Sequence, residues 1–348
     1  MNKKKRILIA PLDWGLGHAT RCIPIANALI QSGYEVVFAA DGRPLQLLME
    51  AFPSHDFIKL AGYNIRYPKN GNMAGSMLWQ SRKILSGIKA EHKALQSIIQ
   101  DFKIDGVISD NRFGLYSNEV PCVFITHQLR IQAPYFQNWI QKMNFRHIQK
   151  FDQCWVPDSS ESVLSGKLTK ELDLPFDCQF IGPLSRFKPL EKTADLGILA
   201  IVSGPEPQRT LFENLLREQL KDKKAILVLG KPETETEEKI GNLRILSHLN
   251  GQELNQSMVN AEVVVSRSGY STLMDLARLG KKAIFIPTPG QTEQTYLAEH
   301  FYKEKIAFAM HQKNMNLELA LEKSTSFNGF TPSQENTNWN SLFKLFEE

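Results

Sequence analysis

The chain has few cysteines, no long hydrophobic run and little net charge, and each absence excludes a class of protein. Its four cysteines lie far apart without a CxxC pair: Cys22, Cys122, Cys154 and Cys178. That spacing predicts neither a zinc site nor a disulfide framework, and it favours buried, reduced thiols. No stretch approaches the roughly 20 apolar residues of a spanning helix, and the apolar run at residues 7–12 is too short for a signal-peptide core. We therefore expect a cytoplasmic protein.

The net charge of +4 is too small to indicate nucleic-acid binding, and the sequence has no basic helix pattern with interleaved aromatic residues. That charge is still compatible with peripheral contact to an anionic membrane surface. The 348 residues include 22% charged and 42% hydrophobic residues, which is typical of a soluble globular protein long enough for two domains.

Residues 261–296 carry the pattern strand, polar turn, helix, strand, polar turn, helix. Glu262–Ser266 and Lys282–Ile286 are short apolar runs, and Leu273, Leu276 and Ala277 recur between them at the spacing of one helix face. This pattern predicts a βαβ unit. Its first turn is rich in small and hydroxyl-bearing residues: Ser266, Ser268, Gly269, Ser271 and Thr272. A helix N-terminus of this kind stabilises a phosphate or a carboxylate.

Asp275 lies about one turn further along the predicted helix, on the same side as Ser271 and Thr272. A carboxylate at that place can accept hydrogen bonds from a diol. A bound anion beside a bound diol indicates a nucleotide. The alternative is an ordinary α/β domain whose small turn residues only satisfy the end of a helix.

The segment SRSGYSTLMD, followed by Gly280, Pro287 and Gln291–Gln294, resembles the C-terminal half of the GT-B glycosyltransferases of family 28. The resemblance implies the α/β GT-B fold, with two Rossmann-like doubly wound domains facing across a cleft. It also implies that Glu293 and Gln294 bind the hydroxyls of the donor sugar. A helix-start carboxylate favoured by the helix dipole is the alternative for Glu293.

The chain opens with a second βαβ pattern. Arg6–Pro11 and Glu35–Ala40 are predicted strands, and the loop between the first strand and its helix carries Gly15, Gly17 and His18. In the resembled family a Gly-Gly-His loop follows the first strand, which makes His18 the candidate for the acceptor-side base or for a group that stabilises the departing or attacking oxygens. The alternative is a histidine that caps the helix. The GLGHATR sequence departs from the family pattern, because Arg21 stands where the family's peptidoglycan-synthesis enzyme has a proline.

Polar residues close two further predicted strands, Asp105–Ser109 and Pro121–Thr126. Asp110, Asn111 and Arg112 follow the first strand, and His127 and Gln128 follow the second. Parallel strands end at one edge of a sheet, so we expect these groups near the His18 loop. The His-Gln pair resembles an acceptor-side stretch of the family, although hydrogen-bonded loop residues are an equal alternative.

A long loop at residues 61–75 and the start of a helix at 76–102 mix aromatic, aliphatic and basic residues. We interpret them as a candidate membrane or lipid-diphosphate contact, with a solvated loop as the alternative. The residues of this candidate contact are Tyr63, Arg66, Tyr67, Lys69, Met77, Leu78, Trp79, Arg82 and Lys83.

The domain boundaries follow from composition. Residues 1–182 form the predicted N-terminal acceptor-binding domain, 183–192 a proline-containing linker and 193–325 the nucleotide-sugar domain. Residues 326–348 form a tail expected to pack back on the N-terminal domain. The charged run Lys231–Lys239 is predicted to be a surface loop.

The resemblance assigns donor-binding roles mainly to the second domain. Arg186 matches an arginine near the donor diphosphate, with an exposed linker arginine as the alternative. Ser203 and Gly204 stand where the family has a phosphate-binding glycine loop, and two prolines beside them remove donors. The expected donor contacts are Arg186, Ser203, Gly204, His248, Leu249, Arg267, Ser268, Gly269, Tyr270, Ser271, Thr272, Asp275, Glu293 and Gln294.

The sequence therefore predicts a glycosyltransferase that takes a sugar from a UDP-sugar, first of all UDP-GlcNAc, to a glycan or lipid-linked acceptor of the cell envelope. No DxD-like pair follows a predicted strand, so neither a metal nor another cofactor is expected. Two alternatives remain open. One is a nucleotide-sugar epimerase or hydrolase on the same fold, and the other is a non-catalytic partner subunit.

Overall fold

The computed structural model describes residues 4–63, 73–131, 136–161, 163–170, 173–204, 206–333 and 337–347, and the side chains of 73–81 lie outside this description. The chain divides into two compact units. Within the described residues, unit 1 contains 4–63, 74–184 and 337–347, and unit 2 contains 185–333.

Unit 1 is an α/β domain built on a seven-stranded parallel sheet. Its elements up to residue 180 are β1 (Arg6–Pro11), α1 (Leu16–Gln31), β2 (Glu35–Ala40), α2 (Gly42–Ala51), β3 (Asp56–Lys59), α3 (Met73–Phe102), β4 (Gly106–Asp110), β5 (Cys122–Ile125), α4 (Gln137–Ile148), β6 (Gln153–Val156) and β7 (Cys178–Phe180). The strand order is β3-β2-β1-β4-β5-β6-β7. The order reverses between β1 and β4, which makes the ends of these two strands the switch point where such sheets bind ligands.

The sequence of the central strands explains why they are buried. Residues 7–10 of β1 and 107–110 of β4 are inaccessible to solvent, because helices cover both faces of a parallel sheet and leave no polar side. The core cluster beside them includes Leu8, Val37, Leu95, Val107 and Phe124.

Unit 2 repeats the architecture with a second seven-stranded sheet. Its elements are β8 (Ile198–Ile201), α5 (Gln208–Leu220), β9 (Ala225–Val228), β10 (Glu237–Ile240), β11 (Leu243–Leu246), α6 (Gly251–Asn260), β12 (Val263–Ser266), α7 (Tyr270–Leu279), β13 (Lys282–Phe285), α8 (Thr292–Lys303), β14 (Phe308–Ala309) and α9 (Leu317–Ser324). The order is β10-β11-β9-β8-β12-β13-β14. Here the order reverses between β8 and β12. The predicted βαβ unit at 261–296 is confirmed as β12, α7 and β13.

The prediction that the charged run Lys231–Lys239 is a surface loop is partly wrong. Residues 237–240 form β10, which pairs antiparallel with β11 at the edge of the sheet. All four side chains of β10 are exposed, and Glu237 pairs with Arg244 of β11 at 2.5 Å. An edge strand that buries neither face can consist of charged residues, which also discourage pairing with other chains.

The C-terminal segment divides between the two units. Phe327 and Phe330 are buried in unit 2, so the predicted boundary at residue 326 lies inside that unit. Helix α10 (Trp339–Phe343) belongs to unit 1, where the Phe343 ring lies 5.8 Å from the Tyr34 ring and 6.4 Å from the Trp155 ring.

No helix in the described part of the chain is long and apolar enough to cross a membrane. Helix α3 begins at Met73, three residues before the predicted start. The predicted membrane contacts Arg66, Tyr67 and Lys69 lie outside the described residues, as do the side chains of residues 77–79.

Candidate functional site

The glycine loop of unit 1 ends earlier than the sequence predicts. Gly15 precedes α1 with a φ of 128°, a conformation that residues with a Cβ rarely adopt. Gly17 and His18 therefore lie in the first turn of the helix instead of in a loop. The first turn of α1 therefore lies beside the end of β1, at the switch point of the sheet.

His18 contacts a buried carboxylate at the end of β4. Its Nδ1 lies 2.9 Å from Asp110 Oδ1, and the Asp110 side chain is fully buried while that of His18 is 16% exposed. Asp110 is the last residue of β4, and β4 is the neighbour of β1. The sheet therefore joins two residues that are 92 positions apart.

Arg21, one turn after His18, holds the same carboxylate. Its Nε donates to Asp110 Oδ2 at 2.6 Å, and its Nη2 is paired with Asp110 Oδ1. Burial alone would raise the pKa of Asp110, but Arg21 and His18 outweigh it and lower that pKa well below its usual range. Asp110 is therefore ionised at neutral pH.

His127 and Cys22 complete this cluster. Arg21 Nη1 lies 3.0 Å from His127 Nδ1, and the thiol of Cys22 points to Asp110 Oδ2 at 3.8 Å. Burial and the Asp110 charge raise the pKa of the Cys22 thiol well above its usual value, so this cysteine is a protonated donor. The structure thus brings His127 to His18, as predicted, whereas Asp110 and Arg21 had no predicted site role.

Gln128 lies in the turn that follows β5 and His127. Its backbone N–H donates to Thr126 Oγ1 at 3.1 Å, and its carbonyl accepts from Asn144 of α4 at 3.4 Å. These bonds fix the backbone of the turn, and the half-buried Gln128 side chain stays a predicted acceptor contact.

A second buried polar network in unit 1 was not predicted. Arg112 Nε donates to Glu91 Oε1 at 2.8 Å, and the hydroxyl of Tyr63 donates to Glu91 Oε2 at 2.6 Å. Arg112 also donates to the carbonyls of Leu60 and Ala61. Tyr63 is 3% exposed, so its predicted membrane contact is wrong: the side chain anchors the segment after β3 to α3.

In unit 2 the predicted anion site lies at the start of α7. Gly269 precedes the helix, and no side chain caps this end. The hydroxyl of Ser268 donates to the Gln294 carbonyl at 2.7 Å, and Gln294 Oε1 accepts from the Thr288 N–H at 2.9 Å. The first turns of α7 and α8 are thereby joined, and both helix dipoles contribute positive potential there.

Asp275 lies next to the segment that opens unit 2. The Ser185 hydroxyl donates to Asp275 Oδ1 at 2.6 Å. Burial raises the pKa of Asp275 to about 6, and the Arg186 charge and the Ser185 bond offset part of that rise. Arg186 also faces the start of α6, where its Nη1 lies 3.9 Å from a Cβ built on Gly251. Arg186 and Asp275, which the sequence predicts as separate donor contacts, thus interact electrostatically.

The predicted donor contact of Arg267 requires a correction. Its side chain is 1% exposed and donates to the carbonyls of Ile286 and Gln208 and to Gln312 Oε1. Its guanidinium also stacks 4.0 Å above the Phe212 ring. Burial lowers the pKa of Arg267 to about 9, which leaves it charged. The side chain ties β12, β13 and α5 together, so its role is structural.

Tyr270 also differs from its predicted role. Its side chain is 3% exposed, so the ring packs inside unit 2 and only its backbone lies at the helix start. Ser271, Thr272 and Glu293 are half-buried in the first turns of α7 and α8, where the prediction places donor contacts.

Ser203 and Gly204 are exposed at the end of β8. A Cβ built on Gly204 would lie 3.9 Å from Thr288 Oγ1. Thr288 is 2% exposed, and its hydroxyl has no hydrogen-bond partner among the described groups. Thr288 could be found in the sequence only by its position just after β13. A buried hydroxyl without a protein partner is costly, so this hydroxyl is a candidate donor to a bound ligand.

The predicted donor contacts His248 and Leu249 are half-buried after the end of β11. Strands β11, β9, β8 and β12 run parallel. The residues that follow β11 therefore lie at the same edge of the sheet as the α7 N-terminus, which follows β12. Among the described residues, no three acidic, histidine or cysteine side chains group as metal ligands would.

Two family models match the chain. Residues 5–164 match the model described as glycosyl transferase family 1, and residues 209–343 match the glycosyltransferase family 28 C-terminal domain. The first lies in unit 1, and the second covers most of unit 2 and part of the C-terminal segment.

Several relatives extend over most of the chain. An uncharacterized glycosyltransferase of Methanosarcina acetivorans is 24% identical over 322 residues, which are 83% of this chain and 81% of the relative. The UDP-N-acetylglucosamine--N-acetylmuramyl-(pentapeptide) pyrophosphoryl-undecaprenol N-acetylglucosamine transferase of Buchnera aphidicola is 24% identical over 345 residues, 94% of this chain and 90% of the relative.

Solved structures share the fold at low sequence identity. The spinosyn rhamnosyltransferase SpnG complexed with thymidine diphosphate has a TM-score of 0.63 and 16% identity, covering 98% of this chain and 95% of its own. MurG of Acinetobacter baumannii has a TM-score of 0.55 and 14% identity, covering 99% of each chain.

Proposed function

The chain is a GT-B glycosyltransferase of the family 28 type, and we propose that it transfers a sugar from a UDP-sugar to a hydroxyl group of a glycan or lipid-linked acceptor. The observation that carries this proposal is the contact between His18 Nδ1 and the buried, ionised Asp110. It provides unit 1 with an oriented base, which sugar transfer to a hydroxyl requires.

In this proposal His18 removes the proton of the attacking acceptor hydroxyl. An ionised carboxylate only accepts hydrogen bonds, so the Asp110 contact favours the proton of His18 on Nδ1 and the lone pair on Nε2. Asp110 also stabilises the imidazolium that forms when Nε2 takes the proton. His127 and Gln128 remain candidate acceptor contacts on the neighbouring strand end.

The donor is proposed to bind at the start of α7 in unit 2. The helix end, Arg186 and the buried Thr288 hydroxyl are suited to a diphosphate, and Asp275 is suited to the ribose hydroxyls. UDP-GlcNAc is the first donor to test, because the Buchnera relative is named for transfer from UDP-N-acetylglucosamine. The thymidine diphosphate bound to SpnG makes dTDP-sugars the second class.

We propose that cationic protein groups stabilise the leaving diphosphate. Arg186 and the α7 dipole supply fixed positive charge where negative charge develops. A direct measurement compares donor turnover with and without EDTA, and equal rates are the expected result. Loss of turnover that Mg²⁺ restores would contradict this part of the proposal.

The decisive test is transfer from UDP-GlcNAc to a panel of lipid-linked and soluble glycans, followed as acceptor-dependent release of UDP. The wild type should release UDP with at least one acceptor. The rate of UDP release by the His18→Ala variant should be lower by a factor on the order of 10²–10⁴. His311→Ala, which changes an exposed histidine of unit 2, is the matched control and should retain activity.

The same assay separates the alternatives. Release of free GlcNAc or of an epimer from UDP-GlcNAc at the same rate with and without acceptors would favour a hydrolase or epimerase. Binding of UDP-GlcNAc without turnover on any acceptor, together with an unaltered phenotype of His18→Ala in cells, would favour a non-catalytic subunit.

A peripheral contact with an anionic membrane is also part of the proposal. On α4 the Trp139 side chain is 62% exposed, and Phe136 just before the helix is 72% exposed. Lys142 and Arg146 are exposed on the side of Trp139. Aromatic and basic side chains on one helix face are typical of an interfacial contact.

Sedimentation with vesicles tests this contact. The wild type should sediment with phosphatidylglycerol vesicles at low salt, and the double variant Phe136→Ala, Trp139→Ala should not. Leu211→Ala, at an exposed apolar residue of unit 2, should behave as the wild type. Equal sedimentation of all three proteins would exclude α4 as the contact.

A further inference from the structure

The buried guanidinium of Arg21 contacts three titratable side chains of unit 1. It forms a forked contact with Asp110, and its Nη1 and Nη2 each lie 3.0 Å from an Nδ1, that of His127 and that of His18 respectively. Arg21 is 1% exposed, so bulk water does not compete for these contacts. The proposed function uses His18 and Asp110 but assigns no role to Arg21.

The contact with Arg21 fixes where His127 carries its proton. A guanidinium has only donors and stays charged, so His127 Nδ1 accepts the bond from Arg21 Nη1. An imidazole that accepts at Nδ1 carries its proton on Nε2. A second proton on Nδ1 would direct an N–H at the N–H of a buried cation, so His127 is neutral.

His18 meets the same guanidinium but has a stronger partner. Its Nδ1 lies 2.9 Å from Asp110 Oδ1 and 3.0 Å from Arg21 Nη2. A bond from an imidazole N–H to a carboxylate is charge-assisted and stronger than a bond from an N–H to a ring nitrogen. A lone pair on Nδ1 would also face the charged oxygen. The proton of His18 therefore lies on Nδ1, and Nε2 keeps its lone pair.

We propose that Arg21 is a positioning residue: it holds His127 in the tautomer with its proton on Nε2, and it holds Asp110, which keeps the proton of His18 on Nδ1. His18 then has an Nε2 that can take a proton, and His127 has an Nε2 that can only donate a hydrogen bond to an oxygen atom. The effect of Arg21 on sugar transfer rests on the proposed function, whereas the tautomers do not. The two histidines thus differ in chemistry although one guanidinium touches both.

The tautomers can be measured without any substrate. Long-range ¹H–¹⁵N correlation spectra of the full chain labelled with ¹⁵N-histidine distinguish a protonated Nδ1 from a protonated Nε2. His18→Gln and His127→Asn assign the two signals. At neutral pH we expect the Nδ1–H pattern for His18 and the Nε2–H pattern for His127. The same pattern for both residues, or a doubly protonated His127, would overturn the inference.

Variants of Arg21 test its part in this arrangement. Arg21→Met should abolish the pure Nε2–H pattern of His127, and Arg21→Lys, which keeps a charged donor, should restore at least part of it. Since Arg21→Met leaves the Asp110 charge buried, the double variant Arg21→Met, Asp110→Asn serves if the single variant does not fold. An unchanged His127 pattern in either methionine variant would exclude Arg21 as the positioning residue.

Kinetics with the acceptor found by the panel above add a functional measurement. Arg21→Met should lower kcat on the order of 10- to 100-fold, a part of what a general base contributes, while the KM for UDP-GlcNAc stays unchanged. An unchanged kcat would overturn the positioning role. A chain that transfers no sugar but shows the two tautomers refutes the proposed function and leaves the tautomer inference standing.

Discussion

At the scale of single residues, two carboxylates of this chain are placed in opposite environments. Asp110 is buried against Arg21 and His18, and its pKa is lowered, whereas burial raises the pKa of Asp275 to about 6 despite the nearby Arg186. The first carboxylate is ionised at every physiological pH. The second changes charge just below neutrality, and the two therefore give different pH dependences.

The first prediction concerns Asp110. Asp110→Asn keeps the shape of the side chain, but the amide has only one oxygen that accepts hydrogen bonds. The substitution also leaves the Arg21 cation without its counter-charge. We expect kcat to fall on the order of 10²-fold or more, because the tautomer of His18 is no longer fixed. UDP binding, measured by calorimetry, should stay unchanged because Asp110 lies in unit 1. An equal loss of UDP affinity would contradict the separation of roles.

The second prediction concerns Asp275 and pH. Above about 6 its carboxylate is ionised and, in the proposed donor site, would accept hydrogen bonds from the ribose, so the affinity for UDP should fall below that value. Asp275→Asn should weaken UDP binding about 10-fold, the value of a hydrogen bond to a charged group, and should abolish this pH dependence. Asp222→Asn, an exposed residue of the same unit, should change neither.

Asp275→Asn is expected to affect folding stability in the opposite direction to its effect on UDP binding. Because the pKa of Asp275 is higher in the folded chain than its ordinary value of 3.8, ionisation opposes folding at pH values above that ordinary value, and the full cost is present above about 6. Removing the charge should therefore leave the Tm at neutral pH unchanged or raise it. A marked fall in Tm would show that the carboxylate is structural.

At the scale of elements, the turn between α7 and β13 ends the helix whose N-terminus forms the proposed donor site. Gly280 ends α7 in the left-handed conformation with a φ of 61°, and a Cβ added there would lie 2.5 Å from Pro332 Cγ. The turn therefore requires glycine for two separate reasons, backbone conformation and space.

The third prediction separates these two reasons. Gly280→Ala should lower the free energy of unfolding of unit 2 by more than the roughly 1–2 kcal/mol of a left-handed alanine. Gly241→Ala is the matched control, because Gly241 has a φ of 57° but an added Cβ would only make an ordinary contact at 3.7 Å. Denaturant unfolding measures both variants. Equal losses would show that Pro332 moves aside freely.

The fourth prediction concerns the C-terminal segment of unit 1. Phe346 is fully buried, and a Cβ built on Gly106 of β4 would lie 2.5 Å from its ring. Phe346→Ala should destabilise unit 1 by about 3–5 kcal/mol and increase hydrogen exchange in β1 and β4. Phe136→Ala, at an exposed phenylalanine of the same unit, should change stability by less than about 0.5 kcal/mol.

At the scale of the whole molecule, the sequence predicts the fold better than the site. Short apolar runs alternate with amphipathic stretches, and this local pattern is sufficient to indicate two parallel sheets. Strand β10 was missed because all its side chains are exposed, so its sequence shows no alternation. The tail boundary was misplaced because Phe327 and Phe330 bury their rings in unit 2 after a polar stretch.

The shared edge of parallel strands places Asp110 and His127 near His18, but individual contacts could be predicted only where one turn carries them. The helix start at Gly269 is visible in sequence, because its small and hydroxyl-bearing residues are consecutive. The contact between His18 and Asp110 joins residues 92 positions apart, and it depends on β1 lying beside β4. The direction in which the Arg267 side chain turns is likewise a tertiary property, and its burial contradicts the donor role predicted for it.

The central claim is that unit 2 binds the nucleotide of an activated sugar and that unit 1 supplies the base that deprotonates the acceptor hydroxyl. Calorimetric titration of the whole chain with UDP and UDP-GlcNAc, repeated with Arg186→Met and His18→Ala, tests this claim most directly. The account predicts binding to the wild type and to His18→Ala with equal affinity, and binding at least about 10-fold weaker to Arg186→Met. No heat of binding with UDP, dTDP or any of their sugars would contradict it.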